Sequence, residues 1–301
     1  MKISGFTFIK NALIYDYPIL EAINSILPIC DEFIVAVGKS DDETLKLIND
    51  IPSDKIRVVE TEWDETQRVG GRVLALETDK AFLNISEDSD WAFYIQGDEV
   101  VHEKYLDIIY EAMLQYKDED KVDGLLFKYL HFYGSYSYVG ASSSWYQHEI
   151  RVVKNNNSIY SHQDAQGFRK GTNEKLRVRP IDAYVYHYGW VKEPKAMQRK
   201  QENFNKYWHD AEWIEENVRE ADEFNYSLSV KELKPFLDEH PKVMKKRIDE
   251  LNWTFSYDIS FDKRSFKDRT KHFLRNYLGI NLGYKNYKIE KVRNTTINKR
   301  D

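Results

Sequence analysis

Cysteine occurs once in the 301 residues, at Cys30, so no intramolecular disulfide framework can staple the chain. A reducing compartment is the simple expectation, and within "SILPICDEF" the thiol reads as a small buried hydrophobe. Long apolar runs are missing as well: nothing approaches the roughly 20 consecutive apolar residues of a membrane span. The opening "MKISGFTFIKN" has neither the apolar centre nor the small-residue cleavage site of a secretory leader. Excess positive charge is lacking too. The 44 Lys and Arg against 50 Asp and Glu leave a formal net charge of -6, which argues against a general nucleic-acid binder. There is no Walker-type loop and no Gly-x-Gly-x-x-Gly, which speaks against P-loop ATPases and dinucleotide dehydrogenases. His131, His148 and His162 have no zinc-ligand spacing with one another or with Cys30. No internal repeat and no low-complexity segment occurs. A folded cytoplasmic protein is expected, with contact to the inner face of a membrane left open.

What is present is an alternation of elements. "ISGFTFI", "EFIVAV", "KIRVVET" and "WAFYIQ" read as strands, and "DYPILEAINSIL", "DDETLKLIND" and "GGRVLALETDKAFLNI" read as the helices between them. This pattern predicts a parallel sheet covered on both faces. After the helix "EKYLDIIYEAMLQY", the stretches "DGLLFKYLHFYG", "HEIRVVKN" and "DAYVYHYGW" predict strands separated by long loops. From "KEPKAMQRKQENFNKYW" onward the chain is expected to be mostly helical. There, "FDKRSFKDRTKHFLRNYLGI" sets Phe266, Phe273, Leu274, Tyr277 and Leu278 on one helical stripe, with Lys263, Arg264, Lys267, Lys271 and Arg275 around the rest. Such a helix either packs on the domain or lies on an anionic membrane.

The segment "DWAFYIQGDEVV" raises the chemical question. It ends an apolar strand on two carboxylates, Asp98 and Glu99, and in open parallel sheets ligands gather at the carboxyl ends of strands. A carboxylate there meets a cation or a solvated cleft, because burying it unpaired is costly. One reading is a cap for the helix that begins near Glu103. The other is a divalent-metal site, for which one or two carboxylates suffice when substrate phosphates supply the remaining ligands.

"DWAFYIQGDE" resembles the Asp-x-Asp strand end of family 2 glycosyltransferases with the GT-A fold. "FTFIKN" resembles that family's first strand with its Lys-Asn turn, here Lys10 and Asn11, and "CDEFIVAVGKSDDET" resembles its second strand and following turn, here Ser40, Asp42 and Thr44. "GGRVLALETDKAF" resembles the helix led by an arginine facing the donor, here Arg72. "EIRVVKN", "YSHQDAQGF" and "YHYGW" resemble later motifs in the right order. The match covers roughly residues 3 to 190. Two departures stand out: Gln96 replaces the first acid of Asp-x-Asp, and Val37 and Gly38 stand where an acid usually reads the nucleobase or ribose.

The resemblance implies an α/β, GT-A nucleotide-diphospho-sugar transferase fold, a Rossmann-like mostly parallel sheet with a helical C-terminal extension. The glycosyltransferase domain is expected over 1–225, its donor half about 1–102 and its acceptor-side half about 103–225, with a basic helical extension over 226–301. It further implies a metal-dependent inverting transferase using Mn²⁺ or Mg²⁺. The donor would be a nucleoside-diphosphate sugar, with UDP favoured, and the acceptor a saccharide or a lipid-linked molecule in surface polysaccharide assembly. Donor contacts are expected from Lys10, Asn11, Asp42, Arg72, Gln96 and Asp98, and metal ligation from Asp98, Glu99 and His187. Arg72 has a second reading, a surface ion pair with Glu77 or another acid nearby. The catalytic base is expected to be Asp164 or, in competition, Glu149, and Trp145 and Tyr146 are expected to meet the acceptor. The alternative function is a catalytically weakened carbohydrate- or nucleotide-binding protein that keeps the fold.

Overall fold

The computed structural model describes residues 1–67, 69–207, 213, 221–230, 232–259, 270 and 285–290. Strands β1 (Ile3–Ile9), β2 (Glu32–Gly38), β3 (Ile56–Thr61) and β4 (Trp91–Tyr94) are parallel neighbours in the order β3-β2-β1-β4. Helices α1 (Ile19–Ile26), α2 (Thr44–Asn49) and α3 (Arg72–Phe82) alternate with them. Successive residues of each strand enter opposite cores. Trp91, Phe93, Phe33 and Val35 pack with Ile19 and Ile23 of α1, whereas Ala92, Tyr94, Ile34 and Phe6 pack with Val73 and Leu74 of α3. Burial on both faces is why β1, β2 and β4 read as largely apolar runs, whereas β3 at the end of the order is only half-buried. Each fully buried large side chain contributes roughly 1.5–3 kcal/mol.

The second half extends the same sheet in mixed sense. It supplies β5 (Glu99–Val101), α4 (Leu106–Tyr116), β6 (Gly124–Tyr133), β7 (Ser135–Gly140) and β8 (His148–Lys154). β8 pairs antiparallel with both β4 and β6. A small separate sheet holds β9 (Ile159–His162), β10 (Gly167–Lys170) and β11 (Glu174–Lys175). The long β12 (Arg177–Trp190) runs parallel to β6 and antiparallel to β5. The architecture is therefore α/β and Rossmann-like, as expected. The aromatic run from Tyr129 onward forms the end of β6 and all of β7, which pair antiparallel.

Helix α5 (Pro194–Phe204) follows β12 with its proline in the first turn, where a missing N–H costs nothing. The described part of the expected helical extension includes the short helices α6 (Tyr226–Ser229) and α7 (Lys245–Asp249). Strand β13 (Leu233–Pro235) adds to β7 and β14 (Lys288–Ile289) adds to β12, so the chain returns to the sheet twice. The residues of the basic stripe lie outside the described residues. Among the described residues no helix is long and apolar enough to cross a membrane.

One buried ion pair joins the two halves beneath the strand ends. Arg151 on β8 is fully buried and grips Glu99 at the head of β5 with two bonds, Nε to Oε2 at 2.7 Å and Nη2 to Oε1 at 2.6 Å. Tyr129 O–H donates to Oε1 at 2.8 Å and the Gln96 amide to Oε2 at 3.1 Å. The guanidinium lies over the rings of Tyr94 and Tyr129 and donates to the carbonyls of Ile150 and Gln166 at 2.8 and 2.9 Å. Each Glu99 oxygen accepts two hydrogen bonds and Arg151 donates four, close to the full satisfaction under which a buried pair holds. Glu99→Ala leaves a buried guanidinium uncompensated and is expected to cost about 3–5 kcal/mol in urea unfolding. A loss below about 1 kcal/mol, the size of a surface pair, would contradict this account.

Candidate active site

A cavity of about 300 Å³ opens at the carboxyl ends of β1 and β4. The strand order reverses between these two neighbours, the place where α/β sheets take ligands. Among the residues expected at the site, Lys10, Gln96, Asp98, Tyr146, Asp164 and His187 line it.

Asp98 sits in the turn between β4 and β5, its carbonyl accepting from the Tyr188 amide at 2.8 Å. The β5–β12 register sets Glu99 opposite His187, which brings that imidazole beside Asp98. Lys200 on α5 donates to Asp98 Oδ2 at 3.1 Å and to the Gly189 carbonyl at 3.0 Å, and His187 Nε2 stands 3.8 Å from Oδ1. Burial alone would push the Asp98 carboxyl up. Lys200 leads the neighbouring groups that together outweigh it, and the group is held well below the usual carboxylate range. Asp98 is thus an anion in a nearly closed site, and it caps nothing. The turn leading into α4 is capped by His102, whose Nδ1 accepts from the Lys104 amide.

The residues around Asp98 suit a divalent cation in part. Asp98 and His187 offer a carboxylate oxygen and an imidazole nitrogen to one space, and the missing Cβ of Gly189 keeps that space open. A Cβ there would lie 2.6 Å from His187 Nε2 and 2.7 Å from Asp98 Oδ2. Among the described residues no cluster of three or more such side chains exists, so a metal here needs oxygens from a substrate, as Mg²⁺ and Mn²⁺ accept. Glu99, expected as a third ligand, is instead consumed by Arg151, Tyr129 and the Gln96 amide, and it does not line the cavity.

Asp164 lies in the four-residue turn between β9 and β10. Its neighbours Gln163 and Ala165 both have left-handed backbones, φ 55° and 63°, which non-glycine residues adopt at a cost. Two contacts hold this turn over the cavity: Gln96 Nε2 donates to the Ala165 carbonyl at 3.0 Å, and Arg151 holds the Gln166 carbonyl. Gln96, expected among the donor contacts, therefore ties the end of β4 to the Asp164 turn. Burial raises the Asp164 carboxyl above its ordinary range, opposed by the backbone amides of residues 164 and 166. Glu149 lies behind it, buried, with Oε1 accepting from Gln166 at 3.0 Å, and burial pushes it up to about 7 against the pull of Arg151.

Other expected donor contacts are used to build the loops. Asn11, in a left-handed conformation (φ 54°), exchanges hydrogen bonds with Asp41, and Asp42 accepts from the amides of Leu13 and Ile14, both at 2.9 Å. The Lys-Asn turn and the Ser-Asp-Asp turn thus lock together and aim Lys10, which lies over the Trp63 ring, at the cavity. Arg72 heads α3, exposed and outside the cavity lining, while Glu77 is held by Lys80 and Thr61. Trp145 stacks on His131, and Tyr146 reaches the cavity.

Lys200, Trp190 and Tyr17 also line the cavity, and Lys192 lies fully buried over the Tyr17 ring. Sequence reasoning missed them. Lys200 stands 102 residues from its partner Asp98, on a helix whose composition carries no sign of the contact. Trp190 lay inside the "YHYGW" strand end, where alternation with Tyr188 was the available signal.

No protein-family model matches the chain, and no curated protein matches it. Among solved structures, a 1–349 fragment of S. aureus TarS is 14% identical, with a TM-score of 0.40, over 74% of this chain and 67% of that one. Longer TarS is 17% identical, with a TM-score of 0.40, and the match spans 41% of its length. Glucosyl-3-phosphoglycerate synthase from Mycobacterium tuberculosis, solved with Mn²⁺, UDP and glucosyl-3-phosphoglycerate, is 19% identical, with a TM-score of 0.29, over 44% of this chain and 45% of that one.

A carboxylate whose folded pKa is depressed stabilises the fold above the ordinary Asp range, near about 4, and loses that contribution as pH falls toward its folded value. Lys200→Met removes the main cation on Asp98. It should destabilise the protein more at pH 7 than at pH 3 in urea unfolding; equal losses at both would show that Lys200 does not hold Asp98 ionised.

Proposed function

We propose that the chain is a metal-dependent inverting glycosyltransferase of the GT-A fold. In this reading it moves a sugar from a nucleoside-diphosphate donor, with UDP favoured, to a saccharide or lipid-linked acceptor in surface polysaccharide assembly. The observation that carries it is one cavity faced by an ionised Asp98 with His187, by the cations Lys10 and Lys200, and by a separately held carboxylate, Asp164. Nucleotide-sugar transfer needs this combination: positive charge for a departing diphosphate and a base placed apart from it.

Asp98 and His187 would hold Mn²⁺ or Mg²⁺, which when bound draws negative charge from the leaving diphosphate as a Lewis acid. Lys200 and Lys10 add fixed positive charge to the lining of the same cavity. Asp164 takes the proton of the acceptor hydroxyl. The acceptor oxygen then bonds to the anomeric carbon as the carbon–oxygen bond to phosphate breaks, and that electron pair leaves with the diphosphate. Its environment favours Asp164 over Glu149 for this role, because Asp164 lines the cavity while Glu149 sits behind Gln166. Tyr146 and Trp190 offer aromatic faces for sugar rings.

A ligand that binds only the folded state stabilises it by mass action, about 2.7 kcal/mol at a hundredfold excess over Kd. UDP with Mn²⁺ is expected to give the largest rise in Tm among nucleoside diphosphates, and Asp98→Asn to remove most of it. A flat screen would remove the enzyme reading. For the base, Asp164→Asn should lower transfer by about 10²–10⁴-fold with donor binding intact, whereas Glu149→Gln should leave kcat within about tenfold. The reverse ranking would assign proton transfer to Glu149.

A further inference from the structure

His131 was not among the expected site residues, yet the register of three strands sets it in line with the site. β6 and β12 pair His131 with His187, and β12 and β5 pair His187 with Glu99. The His131 ring is nearly parallel to Tyr129 on one contact (centroids 5.5 Å, 25°) and to Trp145 on another (5.0 Å, 26°), with Tyr146 edge-on at 4.4 Å. Such packing leaves little freedom to rotate or flip.

The hydrogen bonds of that ring fix where its proton sits. His131 Nε2 lies 2.7 Å from the Tyr146 carbonyl, which can only accept, so Nε2 carries the hydrogen. The ring is buried, which favours its neutral form, and Nδ1 therefore presents a lone pair. That lone pair faces His187 Nδ1 at 3.1 Å, so His187 Nδ1 must be the donor. His187 Nε2 is then left bare, facing Asp98 Oδ1 across 3.8 Å, beyond hydrogen-bond length, as two acceptors should stand.

We propose that His131 is a positioning residue that locks His187 in the tautomer whose Nε2 lone pair is turned to the cavity. Trp145, expected to meet the acceptor sugar, would serve as part of the clamp that keeps His131 oriented. Metal-ligating histidines usually donate their other ring nitrogen to a fixed acceptor, and here that acceptor is a second imidazole. The use of the lone pair as a metal ligand rests on the function proposed above; the tautomer itself does not.

Two measurements on the full chain separate these claims. Imidazole ¹⁵N spectra without metal should show His131 with its hydrogen on Nε2 and His187 with its hydrogen on Nδ1; a wild-type His187 protonated on Nε2 overturns the proposal. Mn²⁺ binding in the presence of UDP, followed by electron paramagnetic resonance, should weaken by about 10–100-fold in His131→Phe, which keeps the ring packing but offers no acceptor. His131→Gln, whose amide carbonyl can accept from His187, should restore most of the affinity and the tautomer. Wild-type affinity in His131→Phe would overturn the proposal. If His131→Phe does not fold, the wild-type spectrum and His131→Gln carry the same test. Should wild-type protein take up no Mn²⁺ with UDP, the metal reading fails, and the ¹⁵N spectra decide the positioning claim by themselves.

Discussion

The buried bond between Glu99 and Arg151 is the constraint on which the site depends. Arg151 reaches from β8 to the start of β5 and also to the Gln166 carbonyl, so one guanidinium fixes both the turn that carries Asp98 and the hairpin that carries Asp164. Gln96 repeats the link from the other side through the Ala165 carbonyl. Two carboxylates from distant parts of the chain are therefore held at one cavity by polar contacts beneath it. Hydrophobic burial builds the layers, but it is non-directional and would not by itself set the spacing of these groups.

Neighbouring acids differ because their surroundings differ. Glu99 has its charge cancelled inside the protein, whereas Asp98, one residue earlier, faces the cavity with Lys200 and is kept ionised. Asp164 and Glu149 lie where burial outweighs nearby cations, and both are pushed upward. Carboxyl groups driven apart in this way supply distinct roles from one residue type, a fixed anion for a cation and a stronger base for a proton.

Much of the first half was legible because β1, β2 and β4 are largely apolar runs buried on both faces, and the helices between the strands carry 3.6-residue stripes. The strand end at Asp98 was legible for the same reason: an apolar run that stops on two acids marks a sheet edge. The fate of Glu99 was not, because its partner Arg151 lies 52 residues away. Lys200, inside α5, was likewise hidden by distance in sequence. His131 showed only a lack of zinc-ligand spacing, and the register of β6 with β12 is what sets it opposite His187. In the tail, Leu233–Pro235 and Lys288–Ile289 pair with the sheet through backbone groups that no side-chain pattern announces.

The account stands on Asp98 meeting the diphosphate of a nucleotide through a cation shared with His187. A crystal structure of the protein soaked with UDP and Mn²⁺, with anomalous data at the manganese edge, tests this most directly. The account predicts an anomalous peak within bonding distance of Asp98, His187 Nε2 and phosphate oxygens, with Lys200 beside them. A nucleotide bound elsewhere, or a filled cavity in which Asp98 keeps only Lys200 as partner, would contradict it.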